Sequence, residues 1–193
     1  MELGKRINVI GCSGSGKSTL AKALAAKLDL DFVELDSFQH RENWRQSTRE
    51  EFLSYVDEAV ASDRWVIDGN YSMIRPTVWP RVDTIIWLDY PISICFWRMW
   101  TRTFRRWVRR EVLWNGNKEQ MWWHFFSKKS LILWVITSHP KKRREFEGLF
   151  SSFELADKNL IRLRSPAETA AWLASIDSVT SQASARETAT INS

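Results

Sequence analysis

The sequence predicts a single α/β domain in which helices cover both faces of a parallel sheet of about five strands. Apolar runs of strand length alternate along the chain with segments of helical periodicity, and parallel strands require such crossover helices. A glycine-rich loop separates the first apolar run from the first helical segment. The length of 193 residues suits one domain with a full hydrophobic core.

Five apolar runs are the predicted strands, and they occupy residues 5–11, 32–36, 65–68, 84–89 and 160–164. Four helices are predicted between and after them, at residues 17–28, 48–61, 94–114 and 166–176. Thr48, with Glu51 three residues later, has the pattern of a capping box. Ser165 followed by Pro166 is a second start signal for a helix.

Residues 1–177 form one predicted domain, and its part from about 92 to 146 is a basic helical region. Residues 178–193 are rich in Ser, Thr and Ala without apolar periodicity, so we predict a disordered tail. The two cysteines form no C-x-x-C motif, and the N-terminus lacks the pattern of a signal peptide. These features predict a cytoplasmic protein, and no apolar run is long enough to span a membrane.

The net charge is +5, and the positive charge is concentrated in one segment. Between residues 98 and 144 the only acidic residues are Glu111 and Glu119. A segment of this kind predicts a polyanionic partner, namely a nucleotide, a nucleic acid or an anionic membrane.

Residues 11–18, GCSGSGKS, match the pattern G-x-x-x-x-G-K-[ST] of a phosphate-binding loop, the P-loop. The context is the required one, since a predicted strand precedes the loop and a predicted helix follows it. Glycines let backbone N–H groups turn inward around a phosphate, Lys17 reaches the β- and γ-phosphate oxygens, and Ser18 is placed for Mg²⁺. The predicted nucleotide-binding residues are Gly11, Ser13, Gly14, Ser15, Gly16, Lys17, Ser18 and Thr19.

The nucleotide is predicted to be ATP rather than GTP. Switch-type GTPases need a D-x-x-G motif after one strand and an N-K-x-D motif after a later one, and neither stands in place. The nearest approach, NKEQ at residues 117–120, ends in Gln and follows no predicted strand. ATP with Mg²⁺ is therefore the predicted cofactor pair.

Further segments accompany the P-loop in a recognisable order: DSF at 36–38, WVIDGNY at 65–71, TIIWLDYP at 84–91, an Arg-rich helix, and RLRSP at 162–166. Together they resemble the adenylate-kinase-like P-loop kinases. More narrowly, the chain is similar to the adenylate-kinase-related or DNA topology modulation proteins, in which GCSGSGKST and IDGNYS are typical. The resemblance implies a P-loop NTPase fold like that of nucleoside monophosphate kinases, with an Arg-rich helical lid, and a kinase activity.

Two carboxylates at strand ends are candidate site residues. The resemblance implies that Asp68, at the end of the third predicted strand, helps Ser18 to hold Mg²⁺, and a carboxylate suits this hard cation. Asp36 ends the second predicted strand, at the edge where ligands of open α/β sheets collect. We predict that Asp36 binds the acceptor or acts as base, the alternative being a cap of the next turn. Asp89, before Pro91, is interpreted as structural.

The segment Gly69-Asn70-Tyr71 departs from the Gly-Phe-Pro-Arg of adenylate kinases. It offers neutral hydrogen bonds where those relatives place a phosphate-binding arginine, which argues against AMP as the acceptor. Arg75 is a candidate for the missing charge, and a solvated surface position is the alternative. Asp36, Asn70 and Arg75 are thus the predicted acceptor-binding residues.

The segment 94–114 is a basic amphipathic helix, with its arginines on one arc of the helical wheel and its aromatic residues on the opposite arc. The resemblance implies a lid here, whose arginines stabilise the charge of the transferring phosphoryl group. Arg105 and Arg109 are accordingly predicted to act in catalysis with Lys17. The alternative is an aromatic stripe packed on the sheet beneath solvated arginines. The charge run Lys141–Arg144 after Pro140 is interpreted as a solvated loop, with binding of nucleic acid or anionic lipid as the alternatives.

The predicted function is Mg-ATP-dependent phosphate transfer to a small acceptor, with a nucleotide or nucleoside-type substrate favoured. An alternative is an ATP-binding, nucleic-acid-associated protein that modulates DNA topology and lays the basic Trp/Arg helix along a phosphate backbone. A peripheral membrane protein that docks through the same helix is a third interpretation. The sequence leaves the identity of the acceptor and the oligomeric state open.

Overall fold

The computed structural model describes residues 3–39, 45–109 and 131–176, although not the side chains of residues 131–136. In this part of the chain five strands form one parallel sheet in the order β2-β3-β1-β4-β5. The strands are β1 (Arg6–Gly11), β2 (Asp31–Glu34), β3 (Trp65–Asp68), β4 (Thr84–Leu88) and β5 (Asn159–Leu163). The predicted five-stranded parallel sheet is therefore confirmed, with β1 at its centre.

The helices among these residues are α1 (Lys17–Leu28), α2 (Leu35–Gln39), α3 (Arg49–Ala59), α4 (Arg75–Val78), α5 (Ile92–Arg109), α6 (Leu131–Phe150) and α7 (166–176). Short 3₁₀ turns occupy Ser72–Ile74 and Phe153–Leu155. None of the helices described is both long enough and apolar enough to cross a lipid bilayer.

The sheet is buried on both faces, because successive side chains of each strand point to opposite sides. On one face Phe52 of α3 and Phe146 of α6 pack with Trp65 and Trp87 of the sheet. On the other face the apolar side of α1 and part of α5 pack against Val66 and the neighbouring strands. Helices thus cover both faces, as predicted.

Helix α3 begins with the predicted capping box. The Thr48 hydroxyl accepts a hydrogen bond from the Glu51 N–H at 3.2 Å, and the Glu51 carboxylate accepts one from the Thr48 N–H at 2.9 Å. Helix α7 has a similar start, since Ser165 Oγ accepts from the Glu168 N–H at 3.1 Å. In each case a side chain satisfies a backbone group that lacks a partner within its helix.

The second strand ends earlier than predicted. It stops at Glu34, and Asp36 lies in the first turn of α2 rather than at the end of a strand. Leu35 is fully buried and packs on Gly69, where an added Cβ would lie 2.7 Å from the Leu35 side chain. An apolar residue at this position fits a strand and a buried helix equally well, so the strand prediction for 32–36 was two residues too long at this end.

The basic run Lys141–Arg144 is not a solvated loop, and that prediction was wrong. The run lies inside α6, which also contains Pro140. Arg143 Nε lies 3.0 Å from the buried Asp89 carboxylate, and Arg162 Nη2 lies 2.6 Å from it. Within the run, the charge of Arg143 is thus neutralised by an acidic side chain of another element. The structural role predicted for Asp89 is confirmed by the same two ion pairs.

Two predictions concern residues outside the described part of the chain. The disordered tail predicted for 178–193 lies there, as does the middle of the basic helical region of about 92–146. The described parts of that region are α5 and the first part of α6, and the two helices pack against each other. The outer boundaries of the predicted domain stay a prediction.

Candidate active site

The P-loop joins β1 to α1 at the carboxyl edge of the sheet. Ser15 closes its turn, since the Ser15 N–H and hydroxyl both donate to the Cys12 carbonyl, at 3.2 and 2.8 Å. Gly14 and Gly16 have φ angles of 82° and 98°, in the left-handed region that favours glycine. An added Cβ at Gly14 would also collide with the Cys95 carbonyl of α5. The loop therefore depends on these two glycines for its shape.

Lys17 begins α1 and folds back over the loop. Its Nζ donates to the Cys12 carbonyl at 3.1 Å, a contact that a phosphate oxygen of a bound nucleotide can replace. The N-terminus of α1 carries partial positive charge and meets the same space. All the predicted nucleotide-binding residues, from Gly11 to Thr19, lie in this loop or in the first turn of α1.

Asp68 ends β3 beside the start of α1. The register of β3 on β1 pairs it with Val9, two residues before the loop, and the Ser18 hydroxyl donates a hydrogen bond to its carboxylate. Burial raises the pKa of Asp68, while the Lys17 charge and the Ser18 hydrogen bond act in the opposite direction. The carboxylate is thus placed where a cation would stabilise its charge.

The residues at this point fit Mg²⁺. A hydroxyl and a carboxylate are hard oxygen ligands, which is the donor type that Mg²⁺ takes in nucleotide sites together with phosphate oxygens and water. The buried carboxylate of Asp68, at 6% exposure, also lacks the solvation that a free ion would otherwise have. Ser18 and Asp68, the two predicted metal ligands, are in contact.

Asp36 lies close enough to Asp68 for its negative charge to raise the pKa of Asp68. The Tyr71 hydroxyl donates to Asp36 Oδ1 at 2.8 Å. Burial, with the Asp36 charge, raises the pKa of Tyr71, so Tyr71 keeps its proton and remains a donor. Asp36 is therefore a half-buried, oriented carboxylate beside the candidate Mg²⁺ ligands, although it stands on a helix rather than on a strand end.

Asn70 connects the P-loop to α6. In the amide orientation that satisfies both ends, its nitrogen donates to the Gly11 carbonyl at 3.3 Å and its oxygen accepts from Lys142 Nζ at 3.1 Å. The adjacent Tyr71 points to Asp36 instead. Of these two consecutive residues, Asn70 thus contacts the P-loop and Tyr71 contacts Asp36.

Lys142 is a site residue that sequence reasoning missed. Burial lowers its pKa, and the charge of the nearby Lys17 lowers it further, so two cations face the same space. A signal was present in the sequence, because His139, Lys142 and Phe146 follow the i, i+3, i+7 spacing of one helix face. His139 and Phe146 are both buried. A helix that continues past Pro140 places Lys142 on the same face as the buried His139 and Phe146.

Arg75 lies near Lys142 but its charge already has a partner. Its guanidinium forms an ion pair with Glu145 of α6 at 2.5 Å and stacks on the Trp79 ring, 4.9 Å from the ring centre. The side chain is only 18% exposed, which excludes the alternative of a solvated surface residue. A second anion would have to compete with Glu145 for this guanidinium.

Four of the five arginines of α5 fall into two groups. Arg98 Nη1 donates to the Ser15 carbonyl at 3.3 Å, and Arg102 lines the same cleft beside the P-loop. Arg105 and Arg109 are exposed, and they lie about 10 and 16 Å further along the helix axis than Arg98. The structure therefore brings Arg98 and Arg102 to the P-loop, and does not bring Arg105 and Arg109 there.

The aromatic arc of α5 does not pack on the sheet, contrary to the alternative considered for this helix. The residues of α5 that are buried are Cys95, Met99 and Thr103. Trp97 is 64% and Trp107 47% exposed. The helix thus uses a narrow face of small and sulfur-containing residues to contact the P-loop, because the close approach at Gly14 leaves no space for a ring.

A cleft of about 370 Å³ opens beside the P-loop. Its walls are the P-loop glycines and Thr19, the α5 residues Arg98 and Arg102, and Thr169 and Leu173 of α7. This volume is in the range of sites that hold one small ligand. The cleft continues directly from the phosphate-binding turn.

The sheet order, the P-loop after the central strand and the Ser18–Asp68 contact together define the class of the chain, which has the P-loop NTPase fold. A family model described as the ATPase family associated with various cellular activities (AAA) matches residues 7–89, which is less than half of the chain. The matched segment includes the P-loop and Asp68. A comparison with curated protein sequences found no match.

Two solved structures are similar to the chain over nearly its whole length. A gluconokinase from Sinorhizobium meliloti 1021 has a TM-score of 0.52 at 17% identity, covering 94% of this chain and 99% of its own. A shikimate kinase from Bacteroides thetaiotaomicron has a TM-score of 0.53 at 17% identity, covering 91% of this chain and 98% of its own. The fold is thus one that P-loop kinases use, and the narrower resemblance to adenylate-kinase-related proteins stays a prediction.

Proposed function

We propose that the protein is an Mg-ATP-dependent phosphotransferase that transfers a phosphoryl group to a small, hydroxyl-bearing acceptor, with nucleosides and nucleotides as the favoured class. The observation that carries the proposal is the P-loop at the end of the central strand, with Lys17 folded over it and the buried Asp68 at the end of the neighbouring strand. Ser18 and Asp68 would hold the Mg²⁺ of Mg-ATP, and the ion would supply positive charge that offsets the charge of the phosphates. A kinase also needs a group that binds the acceptor, and Asp36, which lies beside Asp68, can accept a hydrogen bond from the acceptor hydroxyl.

We assign the two parts of ATP to two parts of the site. The triphosphate belongs in the P-loop, where Lys17 now contacts the Cys12 carbonyl. The adenosine part belongs in the 370 Å³ cleft, which has the Arg98 guanidinium at one wall and the apolar Leu173 at another. Arg98, Lys17 and Lys142 then surround the phosphates with three positive charges, which stabilise the charge of the transferring group.

The part of the site proposed for the acceptor contains the carboxylate of Asp36 and the neutral hydroxyl of Tyr71, and it offers no unpaired arginine among the residues that the structure describes. Asp36 can accept the hydrogen bond of a hydroxyl and take its proton as the hydroxyl oxygen bonds to the γ-phosphorus and ADP leaves. Tyr71 holds this carboxylate from one side at 2.8 Å. Arg75 is paired with Glu145, so a phosphate on the acceptor would have to displace that ion pair. We therefore favour a nucleoside-type hydroxyl compound over a nucleoside monophosphate.

The structural comparisons support a small acceptor in general terms. The two similar structures are named as kinases of gluconate and of shikimate, and each covers nearly all of this chain. At 17% identity they support the kinase proposal through the shared fold and not through shared acceptor residues. A screen of ADP release with nucleosides, nucleoside monophosphates and small hydroxylated metabolites tests the proposal directly. Acceptor-independent turnover that no compound stimulates would contradict it.

Replacing Asp36 with asparagine should reduce the acceptor-stimulated rate by about 10²-fold or more, because the variant loses the proton acceptor. ATP affinity should stay at its wild-type value, since Asp36 contacts neither the P-loop nor the cleft. The measurement is ADP release with and without acceptor, combined with nucleotide binding at equilibrium.

Asp57→Asn is the matched control, because Asp57 is an exposed aspartate on α3. It should leave both measurements unchanged. If the folded Asp36→Asn protein instead loses ATP affinity, the assignment of Asp36 to the acceptor site is wrong.

The alternative of a nucleic-acid-associated protein rests on the exposed outer half of α5, where Arg105 and Arg109 are exposed on one side of the helix and Trp107 is exposed on the other. The kinase proposal keeps Arg105 and Arg109 in the lid on the condition that the outer half of α5 approaches the phosphates when nucleotide is bound, because in this structure both residues lie away from the P-loop. Their alanine variants should then lose turnover much more than ATP affinity, by about 10²- to 10³-fold in kcat for a contact made in the transition state.

Arg49→Ala on α3 provides the control for general loss of positive charge, since Arg49 is an exposed arginine elsewhere on the surface. The opposite outcome is equally specific. The decisive variant has both Arg105 and Arg109 replaced by alanine. If it keeps wild-type ATP turnover while its DNA binding falls, the lid assignment is wrong. The log–log salt slope of that binding should then decrease by about one unit for each lost phosphate contact.

A further inference from the structure

Three side chains with metal-ligating atoms meet next to the P-loop, and the proposed phosphate transfer uses none of them. Cys12 belongs to the P-loop, Cys95 to α5 and His139 to α6. Their ligand atoms all lie within 4.8 Å of one another. Cys95 is 0% and His139 7% exposed, and Cys12 is half-buried. The cluster is therefore enclosed by the packing of three separate elements.

His139 is oriented as a ligand would be. Its Nε2 lies 3.0 Å from the Tyr90 carbonyl oxygen. Because a carbonyl can only accept, Nε2 is the donor in this contact, and Nδ1 is the ring nitrogen left to bind a metal ion in place of a proton. Metal-binding histidines usually donate their other ring N–H to a carbonyl or carboxylate in this way, which fixes the tautomer and the ring orientation.

The two thiols differ in acidity. A hydrogen bond with Cys95 is the main cause that lowers the pKa of Cys12 to about 7, and the charges of His139, Lys17 and Lys142 act in the same direction against the effect of burial. The same hydrogen bond, together with burial, raises the pKa of Cys95. Cys12 is therefore the thiol that ionises first, and its thiolate is the nucleophilic and metal-binding form.

We propose that Cys12, Cys95 and His139 bind one zinc ion. Two sulfur atoms and one imidazole are ligands that Zn²⁺ prefers, and a tetrahedral ion with three protein ligands keeps one position for water or another group. This set differs from the oxygen ligands Ser18 and Asp68, which suit Mg²⁺. On binding, the two thiol protons pass to solvent, and the two thiolates balance the charge of the ion.

The geometry requires little adjustment. Zn–S bonds of about 2.3 Å at tetrahedral angles place two sulfur atoms about 3.8 Å apart. The ligand atoms lie at most 4.8 Å apart, so closing the site needs a movement of about 1 Å, which small side-chain rotations supply. The neighbouring cations Lys17 and Lys142 do not repel the loaded site, because its three ligands and the ion together are neutral. Bound zinc would join the P-loop to α5 and α6, the helices that carry Arg98 and Lys142.

Cobalt titration of the untagged, reduced full-length chain tests the proposal. Co²⁺ replaces zinc in thiolate sites and then shows a thiolate-to-metal charge-transfer band. The chain has 2 cysteines, so the band reports Cys12 and Cys95 alone, whereas Co²⁺ on Ser18 and Asp68 gives none. We expect one band-forming cobalt ion per chain, its displacement by zinc, and proton release on binding. Cobalt binding without this band in the wild-type protein would overturn the proposal.

Variants separate the three ligands. Cys95→Ser should lose about half of the charge-transfer intensity, since the band scales with the number of thiolates bound. His139→Gln, whose amide can still donate to the Tyr90 carbonyl, should weaken cobalt binding by at least about tenfold, because even the loss of an outer-shell partner costs about 10- to 100-fold. Asp68→Asn is the matched control and should keep both band and affinity. Wild-type cobalt affinity in His139→Gln would also overturn the proposal.

A measurement on the wild-type protein covers variants that fail to fold. Zinc bound by the site should slow alkylation of the half-buried Cys12, because a coordinated thiolate is a poorer nucleophile. Equal alkylation rates of the zinc-treated and zinc-free proteins would contradict the site, whatever the behaviour of the variants.

Discussion

Replacing Lys17 with alanine is expected to reduce ATP turnover by about 10²- to 10³-fold or more, since that is the typical cost of removing one donor aimed at developing charge. In the structure Lys17 Nζ lies 3.1 Å from the Cys12 carbonyl, directly over the phosphate-binding turn. Alanine has the highest helix propensity, so α1 should still begin at this residue. Steady-state ADP release measures the effect, and the unfolding midpoint of the variant shows whether the fold is retained.

Lys22→Ala is the control for Lys17→Ala. Lys22 is an exposed lysine on the same helix, with its ammonium 5.3 Å from the centre of the Phe32 ring. Its loss should leave turnover unchanged, because it removes the same charge at a site away from the P-loop. Equal turnover by the wild-type protein and a folded Lys17→Ala variant would end the proposal of an ATP-dependent enzyme.

Replacing Asp68 with asparagine is expected to raise the Mg²⁺ concentration for half-maximal rate by at least about tenfold, the usual scale for groups that ligate or orient a metal. The change substitutes a neutral oxygen for a charged one at the residue that accepts the Ser18 hydrogen bond. Ser18→Ala should shift the same Mg²⁺ dependence in the same direction, because the two side chains form one site. Initial rates over a range of Mg²⁺ at saturating ATP measure both shifts.

Asp63→Asn is the control for Asp68→Asn, since Asp63 is an exposed aspartate just before the same strand. It should leave the Mg²⁺ dependence at its wild-type value. An unchanged Mg²⁺ dependence in Asp68→Asn would make Asp68 a structural residue. The fold itself should tolerate the substitution, because removing a buried charge lowers the cost of desolvation.

Part of the site was predictable because its pattern is local. The spacing of glycines around Lys17 and Ser18 specifies the loop, since the positive φ angles and the close approach of α5 at Gly14 exclude other residues. Asp68 was predictable for a related reason. Parallel strands end at the same edge of a sheet, so a carboxylate at the end of β3 had to lie near a loop at the end of β1.

Other parts of the site depend on contacts between distant elements. Lys142 was hidden in a run of like charges, and only the packing of α6 separates it from Arg143, which turns to Asp89. The sequence also could not show whether the charge of Arg75 is paired, because Glu145, which lies 2.5 Å from its guanidinium, is 70 positions away in the chain. On α5 the helical wheel separated arginines from aromatic residues but did not show which end of the helix meets the P-loop.

The sequence by itself determined the order of the five strands and of helices α1, α3, α5 and α7, the P-loop with its lysine and serine, and the capping box of α3. These features rest on hydrogen bonds and burial patterns that repeat within a few residues, so the local sequence contains the necessary information. Only the tertiary structure decided that Cys12, Cys95 and His139 meet and that Arg98, rather than Arg105, contacts the loop. Such contacts follow from the strand order and from how closely α5 and α6 pack against the P-loop, and no periodicity in the chain records either.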